Sequence, residues 1–171
     1  MINNLDPSKT YIAGSVECHD AARRIQQVRE TSVPVCDRWC HVSALFFDGE
    51  WKVIEAKFPE GCREVTYAEI MANVENVEAS LIVAVETPLD ILSIRQHVGK
   101  EFATRYALQW LKGIKDPNEP RYQNAVFCTE IIRMHDYGIL QYPPDNCVPA
   151  DYQEWAITNN LPMIVLWKRE R

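Results

Sequence analysis

No stretch of this chain holds the roughly 18 apolar residues in a row that a membrane-spanning helix needs. The first residues, Met1-Ile2-Asn3-Asn4-Leu5-Asp6-Pro7, lack the positive region and apolar block of a secretory signal, so a cytoplasmic protein is expected. Basic residues are the minority. Eighteen Lys and Arg against 24 Asp and Glu leave a formal charge of −6, and no basic face is available to hold nucleic-acid phosphates. Internal repeats, low-complexity tracts and linkers are also missing, so residues 1–171 read as a single domain able to bury a sizeable core. In a chain without a secretory signal and with a full apolar core, the six cysteines, at 18, 36, 40, 62, 128 and 147, are expected to be free thiols rather than a disulfide framework. Cys36, Cys40, His41 and Cys62 are potential zinc ligands, but their spacing is loose, and no metal or other cofactor is expected.

What is present is ordinary for a globular protein: 47% hydrophobic and 25% charged residues. Residues 9–16 read as a short strand ended by Gly14, and Asp20 caps a helix reaching about residue 29. Residues 39–47 are rich in strand formers, Asp48-Gly49 marks a turn, and residues 51–56 return as the second arm of a hairpin. Residues 63–65 make a short strand. Thr66 with Glu69 has the capping-box pattern and opens a helix over about 67–73. The nearly continuous apolar run at 80–86 reads as a central strand. Thr87 as cap with Pro88 at the first helical position predicts a helix through Leu89, Leu92 and Ile94 that Gly99 breaks. A second helix is expected over 101–112 and a long loop over 112–122. A helix then starts at Cys128, a connection covers 140–150, a short helix 151–157, and a last strand 161–168.

Three residue types carry chemistry here. Cys128 stands at a helix start, where unpaired amides and the macrodipole favour an anion and so a thiolate. The alternative is a small buried cysteine at the start of a core helix. A cysteine hydrolase also needs an imidazole to share the proton and a polar group to orient the ring. His41 and Glu55 supply them if the hairpin has the right register. With a loop at Asp48-Gly49-Glu50, Phe47 pairs with Trp51 and Ser43 with Glu55, so His41 and Glu55 share a face and meet diagonally. A two-residue Asp-Gly turn would instead set Glu55 opposite Val42, on the other face. The other histidines are expected elsewhere: His19 before a helix, His97 near a helix end, and His135 about two turns, roughly 10 Å, beyond Cys128. For the oxyanion, the candidate donors are the Cys128 amide and the side chains of Tyr11 or Tyr122.

The order His, Glu, Cys, carried by Trp39-Cys40-His41-Val42-Ser43, Val53-Ile54-Glu55-Ala56 and Val126-Phe127-Cys128-Thr129-Glu130-Ile131-Ile132, resembles the circularly permuted NlpC-like papain-fold hydrolases, with the YiiX-like branch nearest. The resemblance spans about residues 9–152. Cys40 and Ser43 depart from the family's usual serine and glycine at those places. The resemblance implies an α+β, permuted papain-like fold with an antiparallel sheet packed against the Cys128 helix. It also implies a thiol-dependent amidase or peptidase acting on a peptide or another amide-containing small substrate. Two other readings remain open at this point: a lipid acyltransferase or thioesterase with the same residues, and a binding or structural protein that keeps the fold without turnover.

Overall fold

The computed structural model describes residues 2–17, 20–28, 30–74, 79–103, 125–140 and 147–169. Tight turns between alternating runs produce antiparallel pairing. Strands β1 (Thr10–Glu17), β2 (His41–Asp48), β3 (Glu50–Lys57), β4 (Gly61–Thr66), β5 (Ala79–Glu86) and β8 (Ile164–Lys168) form one six-stranded sheet in the order β4-β3-β2-β1-β5-β8. Every neighbouring pair in it is antiparallel. The short strands β6 (Glu101–Phe102) and β7 (Ala125–Val126) pair in parallel as a separate two-stranded sheet. The helices are α1 (Asp20–Gln27), α2 (Tyr67–Ala72), α3 (Ile91–Arg95), α4 (Cys128–Arg133) and α5 (Pro149–Thr158).

Both faces of the large sheet are covered. Ile12, Val42, Ala44, Phe46, Ile54, Val83 and Val85 share one face and one core with Ile94 of α3, Ile131 and Ile132 of α4, and Tyr152 and Ala156 of α5. The alternate residues Tyr11, Ala13, Leu45, Val53, Ile82 and Ala84 form a second core, against which Ile2 and the α2 residues Tyr67, Ile70 and Met71 pack. This is the period-2 alternation of a sheet buried on both sides. It yields an α+β domain, and β5 lies inside the sheet between β1 and β8 as its apolar run predicted. The α2 helix carries the expected reciprocal cap: Glu69 N–H donates to Thr66 Oγ1 at 3.1 Å and Thr66 N–H to Glu69 Oε2 at 2.7 Å.

Three expectations are corrected. β1 does not end at Gly14 but runs on to Glu17. Gly14 instead makes room for the Trp39 ring, whose atoms a Cβ there would overlap. Thr87 is not a helix cap: it is fully buried, its N–H donates to Thr10 O at 2.9 Å and its hydroxyl to Val85 O at 3.0 Å. The helix begins later, at Ile91, where the Asp90 carboxylate accepts from Ser93 N–H at 3.1 Å. Glu101 and Phe102 are strand rather than helix, because they find backbone partners in Ala125 and Val126. The rest of that expected helix and the 112–122 loop lie outside the described residues.

Candidate active site

The hairpin register decides the site. Phe47 pairs with Trp51 and Asp48 with Glu50, leaving Gly49 alone at the tip with φ 73°. That is the register that sets His41 and Glu55 on one face. His41 Nε2 lies 3.0 Å from Glu55 Oε2. His41 is the first residue of β2, and the chain entering it is held from three sides. Cys40 N–H donates to Ser15 O at 2.9 Å, Trp39 N–H donates to Gln153 Oε1 at 2.9 Å, and Gln26 Nε2 donates to Arg38 O at 2.8 Å. The Trp39 side chain, 1% exposed, lies against Gly14.

Cys128 is the first residue of α4, after Phe127 in extended conformation. The helix packs on β2 and β3 through the fully buried Ile131 and Ile132, and Thr129 Oγ1 donates to Cys147 O at 2.8 Å. This seating brings the thiol to the imidazole as a hydrogen-bond partner. Nε2 is taken by Glu55, so Nδ1 is the ring nitrogen left for sulfur. Burial alone would lower the His41 pKa, but hydrogen bonds and charge from Cys128 and then Glu55 push it up to about 10. For Glu55, 4% exposed, burial alone would raise the pKa, but His41 and Arg63 hold it down at about 2. Both shifts run in the direction that favours an imidazolium facing a carboxylate.

No family model, curated protein or solved structure matches this chain.

Of the candidate residues, Cys128, His41 and Glu55 come together. Tyr11 does not join them: it pairs with Leu45, four residues along β1 from the Ser15 that faces His41, or roughly 13 Å. Its hydroxyl accepts from Asp6 N–H at 2.8 Å and donates to Asp6 O at 3.3 Å, so its proton is directed away from the site. Tyr122 and His19 lie outside the described residues. Sequence reasoning missed Arg63, which stands directly across from Glu55 on β4 and donates from Nε at 3.0 Å and Nη2 at 2.6 Å to Oε1. Counting the register through the turn at 58–60 would have found this pair of opposite charges.

A cavity of about 430 Å³ opens on the second-core face of the sheet. Ser15, Ser43, His41 and Glu55 line one end, Leu45, Val53 and Val65 the middle of the sheet; Cys128 is not among its lining residues.

A second titratable cluster lies apart from the thiol. Lys100 Nζ is 3.0 Å from His97 Nδ1, and His97 Nε2 is 3.0 Å from His135 Nε2. An ammonium only donates, so His97 carries its proton on Nε2 and passes it toward His135. The ring centroids are 5.2 Å apart, so the rings meet almost head-on, the geometry of a shared proton rather than of two ligands converging on a metal. Among the described residues no group of three or more His, Cys, Asp or Glu is arranged to hold a metal ion, and no helix is long and apolar enough to cross a membrane.

Proposed function

We propose that this protein is a thiol-dependent hydrolase of the amidase or peptidase kind, with Cys128 as nucleophile, His41 as its base and acid, and Glu55 as the orienting carboxylate, on a permuted papain-like arrangement. The carrying observation is that one imidazole is shared, with Glu55 on Nε2 and the Cys128 thiol as its other partner. An imidazolium beside a thiol stabilises the thiolate, the nucleophilic form. The sulfur attacks the carbonyl carbon of a peptide or small amide, and His41 gives its proton to the departing amine nitrogen. The resulting thioester is cleaved by a water whose proton returns to His41, releasing the acid and restoring the pair. The carboxylate keeps the ring turned with Nδ1 toward sulfur throughout.

The test is the reaction of the intact protein with iodoacetamide, mapped to each cysteine. Cys128 is expected to alkylate faster at pH 6–7 than the other five cysteines, and His41→Ala to slow it. Equal rates at Cys128 and the exposed Cys36, unchanged by the substitution, would leave a binding or structural protein that keeps the fold without turnover. A second reading is a lipid acyltransferase or thioesterase using the same residues: the cavity that reaches His41 and Glu55 has a mixed lining in which Leu45, Val53, Val65 and Ile82 offer apolar contact. Turnover of acyl thioesters with no release of amine from peptides would select it.

A further inference from the structure

We propose that Arg63 is a positioning residue for the His41–Glu55 pair, fixing which carboxylate oxygen faces the imidazole and so which ring nitrogen carries the proton. The inference rests on the reading of Cys128, His41 and Glu55 as a catalytic set. A guanidinium holds donors only, so the atom it faces must be an acceptor. Nε and Nη2 both converge on Glu55 Oε1, which leaves Oε2, 3.0 Å from His41 Nε2, for the ring. Both carboxylate oxygens are acceptors, so Nε2 carries a proton and Nδ1 is free to exchange one with sulfur. Glu55 is almost wholly buried, and a buried carboxylate stays ionised only when paired and hydrogen-bonded; Arg63 supplies two such bonds from the edge strand.

This geometry dictates how a glutamine at 55 must sit. In Glu55→Gln the two Arg63 donors claim the amide oxygen, and the amide NH2 is turned toward His41. Nε2 must then become an acceptor, the ring proton moves to Nδ1, and the imidazole cannot take the thiol proton. If Arg63 is removed, nothing holds the amide in that sense, and its oxygen is free to turn to His41.

The experiment measures Cys128 alkylation by iodoacetamide across pH in four proteins: unsubstituted, Arg63→Met, Glu55→Gln, and the double variant. In the unsubstituted background Arg63→Met is expected to slow the reaction on the order of tenfold, as loss of an outer orienting partner does. It should also move the acid limb of the profile to higher pH, because Glu55 loses a cation that keeps it ionised. In the Glu55→Gln background the same change is expected to speed the reaction severalfold. Arg63→Lys, which keeps a donor, should fall between. The opposite signs are what a role in folding alone would not produce. Equal slowing in both backgrounds, or no change in either, overturns the assignment.

Nitrogen shifts of the His41 ring separate this from failure of the hydrolase reading. Nε2 should be protonated in the unsubstituted protein, unprotonated in Glu55→Gln, and protonated again in the double variant. An unchanged ring across the four overturns the role of Arg63 whatever the reactivity of Cys128. The expected series with an inert Cys128 sustains Arg63 and overturns the hydrolase reading instead.

Discussion

Replacing Glu55 by glutamine keeps the shape of the side chain and removes its charge, so its effect on stability should depend on pH. The carboxyl falls from an ordinary 4.5 to about 2 in the folded protein, because His41 and Arg63 outweigh burial. That difference corresponds to on the order of 3 kcal/mol of folding free energy at neutral pH. For a chain of 171 residues it translates into a melting temperature lower by roughly 6–12 °C. The sign follows from linkage: a depressed carboxyl contributes stability above its unfolded value near 4.5 and loses it as pH falls toward about 2. His41, pushed up to about 10, describes the same pair from the other side; its contribution is present below about 6.5 and is lost as pH rises toward 10. Thermal unfolding followed by circular dichroism at pH 7, 5 and 3 tests this. The gap between Glu55→Gln and the unsubstituted protein should be full at pH 7 and shrink toward pH 3, where Glu55 itself begins to take up a proton. The same gap at both ends would mean that packing, not charge, is at stake, and the electrostatic account of the site would be refuted. Turnover should fall more steeply than stability, on the order of 100-fold or more, because the tautomer is wrong as well as the charge absent.

Gly14→Ala drives a methyl into the buried Trp39 ring, so a loss of about 2–3 kcal/mol is expected in chemical denaturation. Alkylation of Cys128 should slow with it, since Trp39 leads into His41; a protein of unchanged stability and reactivity would show that the ring simply moves aside. At the second cluster, burial, then Lys100 and His135, lowers the His97 pKa to about 4. His135 is also lowered by burial, against the opposing pull of Asp90 and Asp136. This stability is present above about pH 6.5 and lost as pH falls toward 4, so His97→Gln should flatten the fall in melting temperature between pH 7 and 5, and an equal slope would refute it.

Much of this molecule follows from local rules. The capping box at Thr66 and Glu69, the strand-rich hairpin with its Asp-Gly turn, the apolar run of β5 and the helix beginning at Cys128 are set by residues within a few positions of each other, and the sequence read alone places them. Where local preference and tertiary partnership compete, partnership wins. Thr87 and Pro88 form a good helix start in isolation, but Thr87 is drawn into pairing with Thr10, and the helix starts three residues after Pro88. Glu101 and Phe102 take helix formers' places, yet pair with a strand more than twenty residues ahead. The site divides in the same way. His41, Glu55 and Cys128 are legible because each sits in a short motif whose spacing implies a face or a helix end. Arg63 is not, because an arginine on a short strand is unremarkable until the register sets it across from Glu55. The His97–His135 contact is equally invisible, since 38 positions separate the two rings and only the packing of the helices that precede them on one sheet face brings them together. Which chemistry-bearing side chains exist is written in the chain. Which of them share a proton is decided by sheet register and helix seating, because hydrogen bonds act over about 3 Å and only the folded backbone sets distances that small.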